Sequence, residues 1–318
     1  MIEEIVEILK KGKKFLLLTH KDPDLDGIGS MMGLAYSLKS QGKEVVCFTE
    51  TPLRPPLSNI KGAKEIVHEL KERDFDATIA LDCSDIERTG SIKDEILRYR
   101  PIINIDHHET NNYFGDINFV VPKSSSTGEL VFNIIKKAGF PVNQTIAENI
   151  FAAIQADTGC FKYENTTVSS FRIAAELMEY GVSPWYVYTN MSEQYTLADL
   201  KLLELALATV ELHCNGKLSI MSITYEMIEK AGTYPGDSER FITYPRFIAG
   251  VEIAALIRQI GIGRYKFSLR SNGKINVAKL AKCFGGGGHA RAAGFECEGE
   301  LQALKERFIR TVSGFFKE

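Results

Sequence analysis

The chain has no thiolate motif. Its six cysteines, Cys47, Cys83, Cys160, Cys214, Cys283 and Cys297, lie far apart with no CxxC pair, which argues against both a zinc-thiolate site and a disulfide framework. Long apolar runs are missing too, and none approaches the roughly 20 residues needed to span a bilayer. The opening MIEEIVEILKKGKK places Ile2, Ile5, Val6 and Leu9 at helical spacing among acidic residues, so it reads as an amphipathic helix and not a signal peptide. A cytoplasmic location is expected. Low-complexity tracts, long runs of like charge and internal repeats are also absent. There is no GxSxG elbow for a serine nucleophile, and GIGS at residues 27–30 lacks the GK[ST] ending of a phosphate loop. What remains is a chain of 318 residues, 44% hydrophobic, long enough to form two domains.

The net charge of −3 hides an asymmetry. Residues 1–195 carry 21 Lys and Arg against 28 Asp and Glu, a net −7, whereas residues 196–318 carry 17 against 13, a net +4. An acidic half suits cations and a mildly basic half suits an anionic ligand, but +4 is too weak for a binder of long duplexes. The expected fold class is α/β, with an N-terminal doubly wound, mostly parallel sheet in residues 1–195. A helical connector, Leu197 to Val210, joins it to a smaller α/β domain within residues 196–318.

Within the first half, strands are expected at Phe15–Thr19, Val45–Thr49, Ala77–Leu81, Ile102–Ile105 and Ile117–Val121, with helices at Gly27–Ser40, Ala63–Lys71, Gln144–Ala156 and a short one from Pro184. Ser126 and Glu129 have the spacing of a capping box ahead of another helix. In the second half, the strand candidates are Lys217–Ile223, Glu252–Gln259 and Tyr265–Arg270, and the helix candidates Val277–Phe284 and Leu301–Phe316.

The ligand-rich stretch THKDPDLDGIGS, residues 19–30, begins where the first apolar strand stops. Alone it could be an acidic turn. The third strand, however, delivers Asp82 at its end, and the fourth delivers Asp106, His107 and His108. Three parallel strands ending in Asp or His converge on one edge of one sheet, where open α/β folds place their sites. Asp157 closes a helix in QADTGCF, a position that opposes the helix dipole and suggests a compensating cation, although a simple turn explains it equally well. His20, Asp24, Asp26, Asp82, His107 and Asp157 form a hard set of carboxylates with two imidazoles. That mixture favours Mn2+, with Mg2+, Co2+ or Zn2+ as substitutes. Six ligands exceed what one ion takes. Two ions sharing a carboxylate fit the count and the chemistry of phosphoester hydrolysis, in which ions acidify a water and neutralise phosphoryl charge. His108 is the natural additional donor. In the second half, GGGGHARAAGF is poor for helix and strand but lets backbone amides approach an anion, and a flexible loop remains an alternative there.

The ordered series HKDPDLDGIGS, ALDCSD, DHHETN and ADTGCF resembles the four motifs of the DHH phosphoesterase superfamily, which includes RecJ-like exonucleases and manganese pyrophosphatases. SLRS at Ser268–Ser271 followed by GGGGHARAAGF resembles the DHH-associated C-terminal domain of the nanoRNase subgroup. The resemblance implies that His20, Asp24 and Asp82 hold one manganese and that Asp26, Asp82, His107 and Asp157 hold the other, with Asp82 bridging. His108, Asp82 and Asp106 are the implied catalytic residues, and His108 faces the scissile phosphate. Arg270, Ser271, Gly286, Gly287, Gly288 and His289 are the implied grip on the nucleotide that is not cleaved. The expected activity is removal of 5′-mononucleotides from very short 5′-phosphorylated oligonucleotides and linear dinucleotides such as pApA and pGpG, with pAp as a further substrate. No long duplex and no membrane partner is expected, and a homodimer is allowed for. The competing readings are pAp phosphatase as the main activity, manganese pyrophosphatase, and a nucleotide-binding module without catalysis.

Overall fold

The computed structural model describes residues 1–71, 74–191, 195–233, 235–273, 275–288 and 290–316. They form two compact units, residues 1–194 and 195–318. The first unit is built on β1 (Lys14–Leu18), β2 (Glu44–Phe48), β3 (Ala77–Leu81), β4 (Ile102–Asp106) and β5 (Ile117–Val120), in a sheet of order β2-β1-β3-β4-β5. Every pairing is parallel. Consecutive side chains of β1 go to opposite faces, as a pleated strand requires: Phe15 and Leu17 join one core, Leu16 and Leu18 another.

The larger core lies under α1 (Ile2–Lys11), α2 (Leu25–Ser40), α4 (Thr127–Ala138), α5 (Gln144–Asp157) and α6 (Val168–Glu179). The smaller one lies under the short α3 (Lys93–Ile96) and the 3-10 segment Ile86–Ile92. Helix α7 (Pro184–Met191) completes the unit. Small residues set how closely the helices approach. A Cβ on Gly29 would lie 2.5 Å from the Asn149 carbonyl oxygen of α5, and one on Gly33 would lie 2.7 Å from Ile150 Cγ1. The two helices therefore run antiparallel in close contact, which brings the first turn of α2 beside the last turn of α5. One expected helix is absent. Between Ala63 and Lys71 only a turn of 3-10 helix, Ala63–Glu65, forms. Ile66 is extended, and Val67 donates to the Cys47 carbonyl at 2.9 Å and bridges to Phe48, so the chain follows β2 instead of coiling.

The second unit begins with α8 (Leu197–Leu207) and holds a mixed sheet of β6 (Glu211–His213), β7 (Leu218–Ile223), β8 (Ile253–Gly261), β9 (Arg264–Ser271), β10 (Gly287–Gly288) and β11 (Ala292–Glu298), in the order β10-β11-β9-β8-β7-β6. The helices α9 (Tyr225–Ala231), α10 (Thr243–Arg246), α11 (Val277–Lys282) and α12 (Leu301–Phe315) accompany it. Strands β6 and β11 and helix α9 were not expected from sequence. The glycine run also differs from a simple loop, because Gly287 and Gly288 pair with Gly294 and Ala293. Gly288 has φ +137, and a Cβ there would sit 2.6 Å from the Ala292 carbonyl oxygen; one on Gly286 would meet the Gly294 carbonyl at 2.2 Å. Glycine is needed here for a close backbone approach to β11.

Candidate metal centre

The strand order of the first unit reverses between β1 and β3, and the segments leaving the C-terminal ends of these two strands carry His20, Asp24 and Asp82. A crevice at such a reversal is where open parallel sheets bind ligands. Asp24 caps α2, its Oδ1 accepting from the Asp26 and Gly27 amides at 2.9 and 3.0 Å. That cap explains why the helix begins at Leu25, two residues ahead of the expected start. His20 Nε2 lies 3.8 Å from Asp82 Oδ2. His107, just beyond β4, sets Nε2 at 3.6 Å from Asp26, 3.7 Å from Asp82 and 3.5 Å from Asp157. Ligand atoms of His20, Asp24 and Asp82 cluster within 4.8 Å of one another, as do those of Asp26, His107 and Asp157. A third such group joins Asp82, His107 and His108, so Asp82 ties the clusters together. The structure thus brings together all six candidate ligands.

The groups behind this cluster hold it in place. Asp26 accepts from the Thr127 and Gly128 amides at 2.7 and 3.0 Å, so the first donors of α4 go to a candidate ligand carboxylate. Thr127 Oγ1 donates to Asp82 at 3.1 Å. His107 Nδ1 lies 3.3 Å from the Ser124 carbonyl, leaving Nε2 toward the carboxylates. Asn165 Nδ2 lies 3.0 Å from both the backbone oxygen and Oδ2 of Asp157 and 2.9 Å from the Ser125 carbonyl. The Ser126 capping box is only half formed. Its hydroxyl accepts from the Glu129 amide, but the Glu129 carboxylate turns to the amide and hydroxyl of Ser125. None of Thr127, Ser124 and Asn165 was found by sequence reasoning, since each is a common loop or cap residue whose partner lies outside its local motif, from 8 residues away for Asn165 and Asp157 to 101 for Thr127 and Asp26.

Asp106 differs from its neighbours. It is fully buried at the end of β4, with Oδ1 2.7 Å from His108 Nδ1 and Oδ2 accepting from Asn111 at 2.6 Å. Asn111 also donates to Asn104, whose amide reaches the Cys83 carbonyl at 2.9 Å. Asp106, expected among the catalytic residues, contacts His108 and Asn111 and is placed to orient the His108 ring. The Asn104 contact holds the residue after Asp82, whose own backbone sits at φ +55, a conformation that L residues adopt only under local constraint.

The electrostatics describe a site short of positive charge. Burial, then the charges of Asp82, Asp157 and Asp24, push the Asp26 carboxyl well above its usual range. Burial and then Asp24 do the same to Asp82, and burial raises Asp157. Burial lowers the His20 imidazole against the pull of Asp24. For His108 the desolvation penalty is outweighed by the Asp106 hydrogen bond and the Asp82 charge, which raise it to about 9. Asp106 moves the other way: burial would raise it, but its bonds with His108 and Asn111 bring it below the carboxylate norm. Among the described residues, Asp26, Asp82 and Asp157 form no ion pair with any lysine or arginine. Buried carboxylates that repel one another beside imidazole nitrogens are a donor set that fits hard divalent cations.

In the second unit, Arg270 lies in register with Ala292 of β11 and with Ala254 of β8. Its Nη1 donates to the Leu269 carbonyl at 3.0 Å. Ser271 is fully buried, with Oγ 3.4 Å from the Gly273 carbonyl. Gly287 and Gly288 are exposed on the short β10, and Gly286 is half-buried beside it. His289 lies outside the described residues.

The chain is similar to known proteins along most of its length. The N-terminal domain of the DHH family matches residues 14–154, and the DHHA1 domain matches residues 220–318. The bifunctional oligoribonuclease and PAP phosphatase NrnA of Thermus thermophilus is 32% identical over 311 residues, 97% of this chain and 92% of that protein. The protein of the same description from Bacillus subtilis is 29% identical over 301 residues, 92% of each. An exopolyphosphatase-related protein of Bacteroides fragilis has a closely similar fold, with a TM-score of 0.92 at 29% identity, covering 100% of this chain and 97% of that one. The chain belongs to the DHH family and carries a DHHA1 domain after its DHH domain.

Proposed function

We propose that the chain is a metal-dependent phosphodiesterase that releases 5′-mononucleotides from short 5′-phosphorylated oligonucleotides and linear dinucleotides, and that also converts pAp to AMP. The observation that carries this reading is the convergence of six hard ligands in clusters tied together by Asp82, with a histidine at their edge held by a buried aspartate. The names of the two NrnA relatives support the substrate class. Residues 1–194 serve as the catalytic unit and residues 195–318 as the substrate-binding unit.

His20, Asp24 and Asp82 would hold one divalent ion, and Asp26, Asp82, His107 and Asp157 the other, with Mn2+ the best match to the donors. When bound, such ions lower the pKa of water and neutralise charge on phosphoryl oxygens. The chain's own groups do the rest. Ser124 and Asn165 hold His107 and Asp157 in their orientations. Asp106 engages Nδ1 of His108, so its Nε2 is the nitrogen placed to donate to the phosphate being cleaved. Arg270 and the amides of Gly286–Gly288 would bind the phosphate of the nucleotide that is kept.

A time course with manganese decides the matter, using 5′-phosphorylated di- to pentanucleotides, a long single strand, pAp and pyrophosphate, repeated with chelator. The expected result is mononucleotides from the short substrates and AMP from pAp, both abolished by the chelator. Intact dinucleotides, or long strands degraded as readily as short ones, would sink the proposal. Pyrophosphate cleavage in preference to pAp would mark a pyrophosphatase instead.

A further inference from the structure

We infer that Arg88 is the cation that grips the non-bridging oxygens of the phosphate undergoing cleavage, an inference that rests on the phosphodiesterase reading above. Arg88 lies in the 3-10 segment that follows Asp82, six residues beyond it, and is half-buried. The backbone around it is fastened to both neighbouring ligand loops. Its carbonyl accepts from the Lys21 amide at 2.7 Å, directly beside His20, and the Ser84 carbonyl accepts from the Asn112 amide at 2.9 Å, in the loop that follows His107 and His108. The segment is also bonded within itself: Asp85 caps it through the Glu87 amide at 2.8 Å, and Thr89 Oγ1 donates to the Ile86 carbonyl at 2.6 Å.

The guanidinium has little to occupy it. Nη1 makes one long hydrogen bond, 3.3 Å, to the neutral hydroxyl of Ser84. Among the described residues it has no ion pair, although Asp22, Asp24 and Asp26 lie in the segment after β1 and Asp106 at the end of β4. Its charge is felt at both His20 and His108, after the larger effect of burial. A half-buried guanidinium of this kind is stabilised by an anion, and its planar fork suits two oxygens of one phosphoryl group. The cluster of carboxylates cannot supply that anion once divalent ions neutralise it, whereas an arriving phosphate can. Arg88 would then act from the side of His20 and His108, strengthening its hold as charge builds on the phosphoryl oxygens.

The test compares wild type, Arg88→Gln, Arg88→Lys and Arg88→Ala as manganese-loaded proteins. Binding of inorganic phosphate, measured by calorimetry, is expected to weaken at least about tenfold in Arg88→Gln, while manganese stoichiometry and Tm stay at wild-type values. Turnover of a short oligonucleotide should fall by about 10²–10³-fold. Arg88→Lys should recover part of it, and added guanidinium ion should restore activity to Arg88→Ala but not to wild type. Phosphate binding unchanged in Arg88→Gln would overturn the inference, as would a loss of manganese in parallel with the loss of activity. If wild type cleaves no short oligonucleotide, the substrate reading fails, yet the phosphate titration still decides the role of Arg88.

Discussion

In the first unit the candidate ligands hang from loops at the C-terminal ends of parallel strands, whereas in the second the candidate groups lie along an antiparallel register, with Arg270 opposite Ala292 and Gly288 opposite Ala293. Parallel strands all point the same way, so every strand end lies at one edge and carboxylates distant in sequence are forced together. Burial and mutual repulsion raise Asp26 and Asp82, the condition a bound cation would relieve. The antiparallel strands β9, β10 and β11 of the second unit gather backbone groups instead. Their glycines bring one strand against another at distances a Cβ would not allow, which presents backbone amides without concentrating like charge. One unit thus concentrates like charge that a cation would relieve, and the other is costly to alter at its glycines.

Asp82→Asn is the sharpest way to test that contrast. Turnover should drop at least about a thousandfold, because the carboxylate shared between the clusters is lost. The metal-free variant should nonetheless melt at a higher temperature than metal-free wild type at neutral pH, since a buried repelling charge is removed. A lower Tm for the variant would break the argument from repulsion. Next in size is Asn165→Ala, which touches no ligand ion but releases Asp157. Manganese affinity measured by titration should weaken by about 10–100-fold.

In the second unit the expected effect is on stability and on the substrate grip, not on the metal. Gly288→Ala must adopt φ +137 and overlap Ala292, at a cost on the order of 1–3 kcal/mol, read by denaturant unfolding. Manganese affinity should stay at the wild-type value; a parallel loss would show that the two units do not divide the work as described.

The smallest effect is on the pH dependence of the metal-free protein. Asp26 and Asp82 are raised above their unfolded value of 3.8, and His108 is raised from 6.5 to about 9. All three shifts have the same sign. Each contributes stability that is complete below the unfolded value and disappears as pH climbs through the folded one. In chelator, Tm should therefore fall by a few degrees, roughly, between pH 6.5 and 9, and the slope should flatten in Asp82→Asn. A Tm that rises with pH over that window would contradict the electrostatics.

Apolar strand runs followed by Asp or His were enough to read the parallel sheet and to bring the candidate ligands His20, Asp82 and His107 to one edge, whereas Asp157 ends a helix and carries no such local signal. At the strand ends, strand and ligand share one local pattern, so nothing distant had to be known. The failures share an opposite cause. Ala63–Lys71 has helical composition, but pairing of Val67 with β2 overrode it. Strand β11 is broken by small residues and becomes a strand because β9 lies beside it. Asn165, Asn104 and Thr127 look ordinary in sequence because their role is set by partners elsewhere in the chain, 40 residues away for Asn165 and Ser125, 21 for Asn104 and Cys83, and 101 for Thr127 and Asp26.

The sequence by itself determined the donor types, their order and the strand ends that carry them. These follow from side-chain chemistry and a short-range alternation of apolar and polar residues. Only the tertiary structure decided which ligands cluster, that Asp106 stands behind His108, and that Arg88 has no counter-charge among the described residues. Distances of 3 to 4 Å between groups far apart in the chain depend on how closely helices and strands pack, as at Gly29 and Gly33.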